Sequence, residues 1–155
     1  MEANVVPVAS GDAWIGSGVR SFQSVISELI ADAKKELLLT VYVLTNTKIV
    51  DEISGALDRG VGVTVYLYDD GNDMTKTKAV RMISALCEEY PYLSVRRVKN
   101  RVLHAKIIVA DGRKVLAGSA NLTNTAMVSN YELGFLVDNP TIAGNIIELI
   151  RKVGE

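Results

Sequence analysis

The chain has 155 residues, of which 48% are hydrophobic and 23% charged, with a net charge of −1. That is enough apolar material for one core without a disulfide or metal staple, and the balanced charge does not mark the whole molecule as an obvious polyanion binder. The single cysteine, Cys87, excludes an intrachain disulfide framework and a cysteine-based zinc site.

Met1 to Ser10 lacks a basic start and is interrupted by Pro7, unlike a signal peptide. The longest apolar run, Leu37 to Leu44, is too short to span a bilayer. These features predict one cytoplasmic domain over residues 1–155 with no membrane insertion. Taken in order, the helical spacing of Val19, Phe22, Val25, Ile26, Leu29, Ile30 and Ala33 predicts a first helix from Ser17 to Lys35. Leu37 to Leu44 reads as a buried strand. A second helix carries Ile49, Val50, Ile53, Ala56 and Leu57 on one face and stops before Gly60. Val61 to Tyr68 reads as a strand, followed by the acidic loop Asp69 to Asp73. A third helix points Ala79, Met82, Ile83, Leu86 and Cys87 inward and ends at Pro91. The alternation then gives way to strands at Leu93–Val98, Leu103–Ala110, Lys114–Gly118 and Tyr131–Val137. Asn139 and Pro140 cap a last helix whose Ile142, Ile146, Leu149, Ile150 and Val153 face inward. The expected fold is α/β, a mixed sheet flanked by helices on both faces.

Between Leu103 and Asn121, Asp111-Gly112 separates two β-like runs and signals a tight hairpin. A two-residue turn would pair Ala110 with Arg113 and set Ser119 opposite His104. His104, Lys106, Ser119 and Asn121 would then share one face. A three-residue loop would move Ser119 and Asn121 to the other face. Lys106 is a compact cation for phosphate oxygens, and Ser119 and Asn121 are neutral donors. Small Gly118 allows a ligand or a second backbone to approach. His104, the single histidine, is a competent nucleophile when neutral. Glu132, on a later strand, would either orient it by accepting its other N–H or simply face solvent, and Asp111 is a turn residue. Arg96, Arg97, Lys99 and Arg101 crowd the residues before His104, either as a solvated strand end or as a positive field for a phosphate substrate.

The pattern His104-x-Lys106, four residues, Asp111, six residues, Gly118-Ser119-x-Asn121 would occur by chance in roughly one chain in 10⁵ to 10⁶ at ordinary residue frequencies. It resembles the HKD motif of the phospholipase D superfamily. Glu132 in Asn130-Tyr131-Glu132 matches that family's downstream acidic residue, and the segment from Leu38 to Asp70 looks like its preceding β–α–β unit. The resemblance implies metal-independent phosphodiester cleavage through a phosphohistidine. His104 would be nucleophile or general acid, Lys106 and Asn121 the phosphate clamp, Ser119 its support, Glu132 the orienting carboxylate, and Asp111 outside the chemistry. It implies no cofactor. Members with two motifs use two histidines, whereas this chain has one, so a homodimer with the site on its twofold axis is expected.

For substrate, the resemblance to small single-motif endonucleases and the basic cluster favour nucleic acid, with Arg101 contributing to binding. A phospholipase D or phosphatidyl transferase is the alternative, and an inactive phosphate-binding module a further one. A metal-dependent phosphoesterase would instead use the loop Asp69 to Asp73, which also reads as a polar lead-in to a helix.

Overall fold

The computed structural model describes residues 4–154. Its strands are β1 (Asn4–Ser10), β2 (Arg20–Ser21), β3 (Glu36–Val41), β4 (Gly62–Tyr68), β5 (Leu93–Val98), β6 (Ile107–Ala110), β7 (Lys114–Gly118) and β8 (Glu132–Asp138). They form one sheet in the order β2-β1-β8-β7-β6-β3-β4-β5. The half made of β3, β4 and β5 is parallel. From β3 through β6, β7 and β8 to β1 every pairing is antiparallel, as the run of strands without intervening helices requires.

The helices are α1 (Phe22–Asp32), α2 (Thr47–Asp58), α3 (Lys78–Glu89) and α4 (Pro140–Arg151). Ser21, Asn46, Thr77 and Asn139 each accept a backbone N–H of the first turn on their side chain, which satisfies an otherwise orphaned donor. Helices α1, α2 and α3 cover one face, joining Phe22, Ile26, Ile30, Ile53, Leu57 and Ile83 to Leu37, Leu39, Val63 and Ile108 of the sheet. Helix α4 lies on the other face, where Ala143 and Ile150 meet Leu38, Tyr66, Val109 and Val115. The mixed sheet with helices on both faces is as expected.

Three expectations are corrected, and one strand is added. Helix α1 starts at Phe22 rather than Ser17, because Gly16, Ser17 and Gly18 all take positive φ and form a turn before the Ser21 cap. Leu149 is 64% exposed, and α4 closes on the sheet through Ala143 and Ile150 instead. The stretch Asn4–Ser10 is a strand despite Pro7. Its neighbour β2 pairs with Val8 and Ala9 alone, so the missing N–H of Pro7 falls where the strand has an open side. The strand expected from Leu103 begins at Ile107. There the Thr40 hydroxyl donates to the Ala105 carbonyl at 2.8 Å and accepts from the Ile107 N–H at 3.0 Å, replacing ladder bonds and freeing the chain before Lys106.

The hairpin register also differs. Asp111 and Gly112 have φ of +55° and +61°, and the Arg113 N–H donates to the Ala110 carbonyl at 3.0 Å, as a two-residue turn demands. The ladder nevertheless opens at Ala110–Lys114, one residue away from the expected pairing. Arg113 is the extra residue, a local bulge whose guanidinium reaches Asp138 at 2.6 Å.

Candidate active site

The site lies where the antiparallel strands lose their pairing, at the end of the sheet reached by the C-termini of β3 and β7. Lys106 holds its ammonium 3.1 Å from Nδ1 and 3.3 Å from Nε2 of His104, and donates to the His104 carbonyl at 2.9 Å. The imidazole is exposed and packs at 4.6 Å between ring centroids on Tyr42, which follows β3. Tyr42 in turn stacks on Tyr68 at 5.4 Å, and the Lys106 ammonium lies 5.4 Å from the Tyr42 ring centre. Burial pushes the pKa of Lys106 down, and the nearby negative charge of Glu132 opposes this. Burial, then the charge of Asp70, then Tyr42 push the Tyr68 hydroxyl up.

Asn121 lines the same cleft as Lys106, together with Phe22, Ile26 and Tyr42. The shifted register would have carried it to the opposite face had β7 continued. The ladder ends at Gly118, however, and Leu122 turns to bond the end of β3: its N–H donates to Val43, and its carbonyl accepts from Thr45 and Asn46. This turn brings Asn121 back beside Lys106. The buried Oδ1 of Asn121 has no partner among the described residues. An orphaned acceptor costs about 1–3 kcal/mol, and a group awaiting a ligand is one reason a fold retains it.

The remaining expected residues have other surroundings. Ser119 is exposed, accepting from the Leu133 N–H at 3.0 Å and donating to its carbonyl at 3.3 Å, so it pins β7 to β8 beside the cleft. Glu132 opens β8 within electrostatic reach of Lys106, and Asn130 Nδ2 donates to its Oε1 at 3.4 Å. The His104 ring is turned towards Tyr42 and Lys106. Gly118 faces the core: a Cβ there would lie 2.6 Å from the Gly134 Cα and 3.0 Å from Phe22, so its smallness serves strand packing. Arg101 lines a separate cleft with Lys99 and Lys152.

Asp111 does more than turn the chain. Its carboxylate accepts from the N–H groups of Lys34, Lys35 and Glu36, tying the hairpin tip to the α1–β3 connection, at the other end of β6 from Lys106. In the acidic loop, Asp69 accepts from Gly71, Thr75 and Arg97, and Asp70 from Asn72. The Gly71 N–H bond holds the Asp69 carboxyl below its usual range against the opposing effect of burial, with Thr75 and Arg97 adding to it. These carboxylates order the turn before α3. Among the described residues no cluster of three or more His, Cys, Asp and Glu is arranged to hold a metal ion. Sequence reasoning missed Thr40 and Tyr42. Their signal was position, since the C-terminal end of a strand in a parallel sheet is where α/β sites form.

Comparison with known proteins bears on the family and the fold. The family model described as cardiolipin synthase, PLD-like domain, matches residues 26–153. The chain is 28% identical over 160 residues to the DISARM protein DrmC of Bacillus paralicheniformis, covering 97% of this chain and 65% of that one. It is 25% identical over 153 residues to cardiolipin synthase A of Buchnera aphidicola, covering 97% of this chain and 30% of that one. It thus spans about two thirds of the first relative and under a third of the second. The phospholipase D family member Nuc of Salmonella typhimurium shares the fold, with a TM-score of 0.78 at 21% identity over 98% of this chain and 94% of that one. The sheet, the cleft and the match across most of the chain make this protein a member of the phospholipase D superfamily, within its PLD-like domain family.

Proposed function

We propose that the chain is a metal-independent phosphodiesterase, acting on nucleic acid as an endonuclease, whose active site is completed by a second copy. The observation that carries the reading is the Lys106 ammonium 3.1 Å from the single histidine, in a cleft that also holds Asn121. Lys106 and Asn121 hold the non-bridging oxygens of the phosphate. His104 of one copy attacks phosphorus to form a phosphohistidine, and the leaving oxygen takes its proton from the partner subunit's His104. Water then attacks phosphorus, gives its proton to that second imidazole, and releases the first. Glu132 orients an imidazole by accepting its free N–H, and Ser119 supports the clamp from the β7 end.

One chain carries one histidine, so both roles require two copies. The sheet face beside Glu132 supports the same assembly, because Leu133 and Phe135 of β8 and Val5 of β1 are about half exposed. An uncovered apolar face of this kind is suited to a second copy. We place the dimer in the cytoplasm, where the free thiol of Cys87 stays reduced. Among the described residues no helix is long and apolar enough to cross a membrane.

A lipid-directed reading is favoured by the family description and by the cardiolipin synthase relatives. One experiment separates the two. The pure protein is incubated with chelator and single-stranded DNA, duplex DNA, RNA, a phospholipid or an aryl phosphodiester, beside a His104→Asn control. Nucleic-acid cleavage that survives chelator and vanishes in the control is expected. Cleavage of lipid alone would overturn the nuclease reading, and loss of activity with chelator would overturn the metal-free mechanism. Mixing wild type with an equal amount of His104→Asn, after subunit exchange, should leave about one quarter of the activity rather than the half expected of independent sites.

A further inference from the structure

A cleft of about 660 Å³ lies between the segment Arg97–Leu103 and the end of α4, at Lys152, Val153 and Gly154. Its lining carries Arg97, Lys99, Arg101 and Lys152 and no acidic side chain. Arg97 is committed to Asp69 at 3.2 Å, whereas Lys99, Arg101 and Lys152 have no ion pair among the described residues. Leu103, which helps line the cleft, is followed directly by His104. Tyr68 packs into the same apolar cluster as Val98 and Leu103, which help line the cleft. From there the half-buried rings of Tyr68 and Tyr42 lead to the His104 imidazole.

We infer that this cleft and the neighbouring rings together form a track for single-stranded nucleic acid, with backbone phosphates on Lys99, Arg101 and Lys152 and an unstacked base against the Tyr68–Tyr42 pair. The inference rests on the nuclease reading and names its substrate class. The sequence offers no aromatic-basic groove because the cations sit at residues 99, 101 and 152 and the rings at 42 and 68; the fold brings them to one end of the sheet. Cations spaced along a cleft suit a polyanion with regularly repeated charge. Aromatic faces beside the reacting imidazole suit a base freed from a duplex, because a base inside a stack cannot offer its face. The Asp70 carboxylate beside Tyr68 repels phosphate, so the backbone is directed to the Lys99 side and the base to the rings.

The test uses the His104→Asn protein, which cannot turn over, and a fluorescein-labelled DNA single strand of about 12 nucleotides, inside the ~4–16 range of such grooves. Anisotropy gives affinity as a function of salt. Adding Lys99→Gln and Lys152→Gln should weaken binding and lower the slope of log affinity against log salt by about 1.4, at roughly 0.7 per lost phosphate contact. Tyr68→Leu should weaken binding about five- to a hundredfold, and Tyr68→Phe should restore it. Binding of the strand with affinity and slope unchanged by these substitutions overturns the track and leaves the nuclease reading standing. Equal or tighter binding of the matching duplex overturns the single-strand assignment. Failure to bind any nucleic acid, with phosphatidylglycerol vesicles bound through the same lysines, overturns both.

Discussion

Asp111 separates the motif's structural role from its chemistry, and replacing it tests that division. Its carboxylate accepts three backbone N–H groups, from Lys34, Lys35 and Glu36, at 3.0, 2.8 and 3.1 Å. A hydrogen bond to a charged group contributes about 1.5–3 kcal/mol net. The tip is partly exposed, so water takes over part of that on substitution. Asp111→Asn keeps one acceptor and tolerates the positive φ, and should cost about 1–2 kcal/mol. Asp111→Ala loses every acceptor and adds about 1 kcal/mol of left-handed strain, for a total of about 2–4 kcal/mol. At this chain length each kcal/mol lowers Tm by about 2–4 °C.

Burial opposes the charged form of Asp111, yet the N–H groups of Lys35, Glu36 and Lys34 outweigh it and hold the carboxyl below its usual range. A folded-state pKa depressed in this way contributes stability above the unfolded value and loses it as pH falls through the folded one. The gap between wild type and Asp111→Asn should therefore be full at neutral pH and close in acid. Urea melts across that range measure it, and kcat on an aryl phosphodiester is followed on the same samples. A variant that keeps its stability but loses kcat by orders of magnitude would refute the structural assignment.

Gly118→Ala should destabilise by about 1–3 kcal/mol, since the added methyl meets Gly134 Cα at 2.6 Å and the Leu133 carbonyl at 2.7 Å and the strands must part; thermal melts check this, and a wild-type Tm would show that the pair yields freely. Burial lowers the Lys106 pKa, so activity should fall on the alkaline side at a lower pH than an ordinary lysine dictates. Lys106→Arg should remove that limb while cutting kcat, because a planar fork does not replace a compact ammonium; an unmoved alkaline limb in the variant would dissociate Lys106 from it.

The local pattern of the sequence determined most of the elements and most of the candidate site. Helical spacing marked α2, α3 and α4, and the Asn139-Pro140 pair marked the start of α4, because caps and periodicity are local physics. The motif spacing marked His104, Lys106 and Asn121, since a few residue types at fixed intervals carry their information in the chain itself. Register, long-range bonding and surroundings were decided by tertiary structure. The side-chain bond of Thr40 to residues 105 and 107 cut β6 short, and the Arg113 bulge shifted the hairpin by one residue. The shifted register would have moved Asn121 away from Lys106, and the pairing of Leu122 with the end of β3 returned it. Asp111 gained three partners some 75 residues away, and Gly118 gained Phe22 and Gly134 as neighbours. Contacts of that separation depend on how sheets and helices pack, which no window along the chain contains.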